Sequence, residues 1–215
     1  MNNKLKKLTL ATLLLLSFIA AGQPAKDSSK FGIRLAPLAL VDFYNGSSYK
    51  AGFEIMITEK LAFTADIGGY FKNFNGFKNY KGHNLDFALR YYSSKSSNGE
   101  RLYISLNYFY KNQAFDYSDT IQTRKTTTYE VYRTQKFVSA INLNVGLLKL
   151  YQNKCTIDVF GGVGVRYKKA NSTLTLPDLE NGLEYRDSQS LYFLVTPGNY
   201  IWPNLNLGLR VGLRV

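Results

Sequence analysis

Residues 205–215 read LNLGLRVGLRV. Leu205, Leu207, Leu209, Val211, Leu213 and Val215 share one parity; Asn206, Gly208, Arg210, Gly212 and Arg214 share the other. A period of two sends successive side chains to opposite faces of a strand. The stretch is therefore a strand with one apolar and one polar face. What the apolar face meets, lipid or the core of a soluble barrel, is the question the rest of the chain has to answer.

The same period recurs upstream. Tyr49, Ala51, Phe53, Ile55 and Ile57 alternate with Lys50, Gly52, Glu54 and Met56. Leu61, Phe63, Ala65, Ile67, Gly69 and Phe71 alternate with Thr64, Asp66, Gly68 and Tyr70. Further alternating runs cover 84–91, 102–110, 139–147 and 157–167. A first strand is expected over 31–41, with a bulge or irregular pairing at Pro37, because proline cannot donate to a ladder. The total is eight strands, an even number, each long enough for a tilted crossing of a bilayer. Connections at 58–60, 93–99 and 151–153 are short; those near 112–135 and 168–204 are long, and 73–82 is a loop rich in Asn and Gly. Outer-membrane barrels alternate short periplasmic turns with longer external loops. The fold expected is all-β, a closed eight-stranded antiparallel transmembrane barrel in up-and-down order, with both termini periplasmic.

Composition fits export. Lys4, Lys6 and Lys7 precede an apolar stretch that ends in Ala20, Ala21 and Gly22. This is a signal-peptide pattern with cleavage expected before Gln23. The division expected is a signal peptide over 1–22, a short periplasmic leader over 23–30 and the barrel domain over 31–215. Removing three lysines from 27 basic residues leaves 24 against 15 acidic ones, a net charge of +9. In an exported protein that balance points to outer-membrane lipid and lipopolysaccharide, not to nucleic acid. A single cysteine, Cys155, provides no disulfide framework; it reads as a small apolar filler at a strand start.

Three features put the apolar face outward. Gly52, Gly68, Gly146, Gly162, Gly164, Gly208 and Gly212 all lie on the polar face. Glycine on a solvated strand only costs entropy, whereas the lumen of an eight-stranded barrel is crowded. Mid-strand charges on that face are mostly Arg, Asp and Glu, which suits fixed ion pairs. Tyr49, Phe71, Tyr91, Tyr110 and Tyr167 end the apolar faces, as interfacial girdles do. The inverted register would put Arg210 into mid-bilayer at about 2–4 kcal/mol.

The stretches DFALRYY (86–92), DVFGGVGVRY (158–167) and the terminal LNLGLRVGLRV give the chain a resemblance to the small eight-stranded outer-membrane barrels, OmpA- or OmpX-like. They look most like a family of such barrels with no assigned reaction. The resemblance covers essentially the whole chain after the signal peptide. It implies an outer-membrane location and handling by the barrel-assembly machinery. Such barrels commonly end in an aromatic residue; this sequence ends in Val215.

Parity gathers Arg34, Glu54, Asp66, Asp86, Arg90, Asp158, Arg166 and Arg210 on the inward face. The expectation is an ion-pair network that fills the lumen, since buried charges must be paired and an eight-stranded interior is just filled by side chains. Catalysis has little support. The single histidine, His83, points outward by parity with Leu85 and has no serine within a few residues, and acyl transfer needs a base beside its nucleophile. One His and one Cys make no zinc site, and no cofactor motif is present, the GGVG run lying inside a strand. Residues 112–135 are expected to form a strand hairpin with its tip at 122–125, because alternation continues through Tyr129, Val131, Arg133 and Gln135. The 170–204 connection carries Tyr192, Phe193 and Trp202, aromatic anchors for an external surface protein or glycan ligand. The expected function is structural or surface-interacting and not enzymatic. A narrow channel and a lipid-modifying enzyme stand as alternatives.

Overall fold

The computed structural model describes residues 30–41, 47–72, 77–93, 99–122, 127–151, 154–173 and 197–215. Eight strands follow one another among them: β1 Phe31–Leu35, β2 Ser47–Met56, β3 Leu61–Lys72, β4 Lys78–Tyr92, β5 Glu100–Gln122, β6 Thr127–Tyr151, β7 Cys155–Ser172 and β8 Gly198–Arg214. Each pairs antiparallel with the next, and β8 returns to pair with β1, so the sheet closes into a barrel. Closure removes the open edges that an exposed sheet would have to protect.

Burial follows parity around the ring. Ile33, Ile55, Ile67, Leu89, Leu106, Leu143, Val163 and Leu207, one from each strand, all point outward and are exposed. An apolar belt of this extent is far beyond what a water-soluble monomer presents and matches the lipid face of a membrane barrel. Tyr49, Phe71, Tyr91 and Tyr167 are also exposed on this face. The inward face holds the buried polar residues, Arg34, Asp66, Asn84, Asp86, Arg90, Asn107, Asn142, Asp158 and Arg210 among them. The barrel has the polar-inside arrangement, with no helix long and apolar enough to cross a membrane among the described residues.

Glycines on the inward face answer to specific neighbours. Tyr103 and Gly146 are cross-strand partners, as are Phe160 and Gly208. A Cβ at Gly146 would lie 2.3 Å from Tyr103 Cζ, and one at Gly208 would lie 2.2 Å from Phe160 Cζ. Each ring lies over the bare backbone opposite, so that large and small residues interlock in the narrow lumen.

The strands are longer than alternation alone suggests. The first is shorter: β1 stops at Leu35 and Pro37–Val41 is a 3-10 helix. Pro37 takes the first helical position, where its missing N–H costs nothing. The 73–82 loop shrinks because β4 begins at Lys78. The 168–204 connection shrinks at both ends, since β7 runs to Ser172 and β8 starts at Gly198. Residues 112–122 and 127–135 pair as the two arms of a strand hairpin, as alternation suggests, in register up to Gln122 opposite Thr127. Of its expected tip, only Gln122 lies within the described residues. The hairpin outruns its neighbours: β4 reaches only Asp116 and β7 only Thr134.

Candidate functional site in the barrel lumen

The inward side chains form three levels. Nearest the short turns lies a charged plug. The Arg90 guanidinium donates to Glu54 Oε2 at 3.1 Å and to Asp158 Oδ2 at 2.7 Å, and its carbon sits 4.5 Å from the Tyr103 ring centroid. The Tyr103 hydroxyl donates to Asp158 Oδ1 at 2.6 Å. Arg210 lies 4.1 Å above the Phe160 ring and donates from Nε to Asp66 Oδ2 at 3.1 Å, with Asp86 at 3.6 Å and Asp158 at 3.7 Å. Arg34 Nε donates to Asp66 Oδ1 at 2.6 Å. Lys50 Nζ donates to Asp86 Oδ2 at 2.7 Å, and Arg214 lies 3.7 Å from Glu54. Five cations thus surround four carboxylates. Mutual pairing of this kind is what makes burial of the charges tolerable. A void of about 20 Å³ remains among Arg34, Glu54, Arg90 and Asp158, room for roughly one water.

Above the plug runs a ladder of amides. Asn107 donates to Asp86 Oδ1, Asn142 to Asn107, and Asn204 to Asn142 at 2.6 Å. Asn206 donates to Asn144 at 3.0 Å, and Asn144 to Ser105 at 3.4 Å. Chained amides of this kind use both donor and acceptor ends. Toward the long connections, Phe115, Tyr117 and Tyr132 form a buried aromatic cluster with Phe77 and Tyr80 packed on it. The Phe77 and Phe115 rings stack at 4.3 Å. On the β8 side of the lumen, lined by Lys50, Asp86 and Arg210 of the plug and by Asn142, Asn204 and Asn206 of the ladder, a cavity of about 310 Å³ remains.

Of the eight lumen residues expected from parity, Arg34, Glu54, Asp66, Asp86, Arg90, Asp158 and Arg210 come together in the plug. Arg166 does not. It stands higher, opposite Trp202 and Ala140, and has no carboxylate in ion-pair reach among the described residues. Parity fixes the side of the wall but not the height, and Arg166 is eight residues up β7 from Asp158. Lys50 and Arg214 belong to the network although parity reasoning did not select them; each shares a face with a selected charge, Glu54 and Arg210 respectively. Trp202 is not on a loop. It lies in β8 on the inward parity, half exposed at 52%. Tyr192 and Phe193 lie outside the described residues. His83 is exposed on the outward face, its ring 6.1 Å from that of Tyr110. Cys155 opens β7 and is free. Among the described residues no cluster of His, Cys, Asp and Glu has the makings of a metal site.

No family model matches the chain, and no curated protein matches it. Among solved structures, the N-terminal β-barrel domain of OprF from Pseudomonas aeruginosa is similar at 14% identity and a TM-score of 0.40, over 86% of this chain and 97% of that one. A major outer membrane protein from Thermus thermophilus is similar at 13% identity and a TM-score of 0.43, over 87% of this chain and 100% of that one. The eight-stranded architecture of this chain stands on its own strand register.

Proposed function

We propose that this chain is an outer-membrane barrel, OmpA- or OmpX-like, with a structural or surface-interaction role and no enzymatic one. The observation that carries the reading is the pairing of an all-round apolar belt with a lumen plugged by paired charges. In this reading residues 1–22 are a signal peptide, the short turns and both termini face the periplasm, and the β5–β6 hairpin stands outside the cell. The belt meets lipid and lipopolysaccharide after the barrel-assembly machinery inserts the chain. Tyr192 and Phe193 on the long connection, with Trp202 at the mouth, contact a surface protein or glycan. The filled plug argues for this role over a narrow channel, because a void of about 20 Å³ is far below a conducting path.

The test combines fractionation with shaving. The folded protein should sit in the outer-membrane fraction, migrate faster on gels before heating than after, and lose the β5–β6 tip to external protease in intact cells. Planar bilayers should record no steady single-channel conductance. Cleavage only after the outer membrane is opened would reverse the orientation, and stable conductance would overturn the plugged lumen. Replacing Tyr192, Phe193 and Trp202 with Ser should lower cell-surface binding while the heat-dependent gel shift persists. Loss of the shift would make these residues part of the barrel's packing instead.

A further inference from the structure

The wall of this barrel has one irregular seam. β8 spans Gly198–Arg214, yet β1 pairs with it only from Val211, opposite Leu35, to Arg214, opposite Gly32. Above Val211 no described strand covers that side of β8. The 3-10 helix Pro37–Val41 stands there instead, after Ala36 donates its N–H to the Lys50 carbonyl at 3.0 Å. Elsewhere around the ring, ten or more residue pairs join each strand to the next, apart from the five between β1 and β2.

The cavity of about 310 Å³ lies at this break. Leu38 of the 3-10 helix lines it, and so do Leu205 and Leu207, which carry the lipid-facing parity of β8 and are 71% and 70% exposed. Asn84 and Arg166 line it from within. Residues Asn204–Arg210 line it consecutively, so the edge of β8 left unpaired above Val211 forms one of its walls, with Leu205 and Leu207 directed to the outer belt. Two of its buried polar atoms have no hydrogen-bond partner, the acceptor Asn84 Oδ1 and the donor Arg166 Nε, and Asn84 is only 2% exposed. Buried polar atoms left unpaired are costly, and here the donor and the acceptor belong to two residues that line one space.

We propose that this break is a lateral binding site for a single-chain anionic amphiphile, its headgroup in the cavity and its acyl chain outside along Leu38, Leu205 and Leu207. Three observations fix the chemistry. The volume is that of the smallest ligand pockets, about 300 Å³, which suits a headgroup. Lys50 and Arg210, which also line the cavity, are engaged by Asp86 and Asp66, which leaves Arg166 to take the anion; its planar fork suits a phosphate or carboxylate. Asn84 Oδ1 accepts from a hydroxyl or amide on the same headgroup. The proposal rests on the membrane reading of the barrel, since only lipid-facing walls place Leu205 and Leu207 against acyl chains.

Trp202, the single tryptophan, is the cross-strand neighbour of Arg166 and serves as the reporter. The full chain, folded in phosphatidylcholine nanodiscs, is titrated with lysophosphatidylglycerol, which carries one acyl chain, a phosphate and free hydroxyls. Saturable change in Trp202 fluorescence is expected, weakened about tenfold in Arg166→Gln, the scale of one charged hydrogen bond. Lysophosphatidylcholine, which has no net charge, should bind about tenfold more weakly than the anionic probe. A photoactivatable lysophosphatidylglycerol with its diazirine in the acyl chain should label peptides bearing Leu38 or Leu205–Leu207 in preference to those of β4 and β5. Equal affinity of Arg166→Gln, or labelling spread evenly around the belt, would overturn the proposal. So would displacement by glycerol phosphate at the concentration of the lipid probe, which would make this a plain anion site. Should Arg166→Gln fail to give the folded gel band, the labelling map on the unaltered chain decides alone. Failure of the membrane reading shows separately, as loss of the heat-dependent gel shift and of flotation with vesicles.

Discussion

Asp66 and Asp86 are direct cross-strand partners, one on β3 and one on β4. Like charges placed opposite each other destabilise a sheet, so this pair persists only through what lies between and around it. Arg210 bridges them, 3.1 Å from Asp66 and 3.6 Å from Asp86, while Arg34 takes the other Asp66 oxygen and Lys50 holds Asp86.

Arg210→Met should therefore destabilise the folded barrel by about 3–5 kcal/mol, the range for orphaning buried partners. Asp86→Asn in the same background should recover part of the loss by removing one of the two repelling charges. Urea midpoints of the four proteins in one detergent give the comparison, and strict additivity would deny the bridge.

Arg90 and Arg166 carry the same charge on the same face and should behave differently. Arg90→Met takes from Glu54 and Asp158 their shortest ion pairs, 3.1 Å and 2.7 Å, and should cost about 3–5 kcal/mol. Arg166→Gln leaves no described carboxylate unpaired and should stay within about 0.5 kcal/mol, as substitutions away from such partners do. Equal losses in an unfolding titration would mean that Arg166 belongs to the network after all.

Gly146→Ala should cost about 1–3 kcal/mol by overpacking, because its Cβ would lie 2.3 Å from the Tyr103 ring. Tyr103→Ala makes that room but loses its bond to Asp158. The double variant should be more stable than the two single losses added together, a coupling that a double-mutant cycle reads directly.

Hydrogen exchange should separate two parts of the β5–β6 hairpin. From Tyr103 to Ala114, β5 has a partner on both sides, and successive amides should all be protected. Over 117–122 only β6 remains. Antiparallel amides point alternately to either side, so protection there should alternate with a period of two. Uniformly fast exchange over 117–122 would mean that the paired register does not persist in the membrane.

How much of this was legible beforehand can be judged residue by residue. Alternation put Leu207 and Arg210 on opposite faces, and the glycines, the Arg, Asp and Glu of the polar face and the aromatic ends of the apolar face decided which of the two points outward. Strand count and closure followed from the turns, and seven charges of the plug followed from parity. Height did not, as Arg166 demonstrates, because strand tilt decides which inward residues share a level. Strand ends were hidden too. Tyr200, Ile201 and Trp202 follow Pro197-Gly198 and look like loop residues, yet pairing to Lys168, Tyr167 and Arg166 keeps them in β8. Pro37 reads as a bulge inside a strand that continues to 41, whereas the strand ends at Leu35 and Pro37 opens a 3-10 helix.

The short seam also sets an order of events. Gln122 and Thr127 meet across a gap of five residues, whereas Gly32 and Arg214 meet across 214 − 32 = 182. Contacts between distant residues carry the larger closure entropy and form slowly. With four residue pairs joining β1 to β8, the gain on ring closure is small compared with the twenty-three pairs of β5 and β6. The sheet should therefore assemble outward from the β5–β6 hairpin, and the last joint to form should be the first to part under denaturant. Through most of its assembly the chain is then a curled sheet with two unsatisfied edges, at a stage when water is already being left behind.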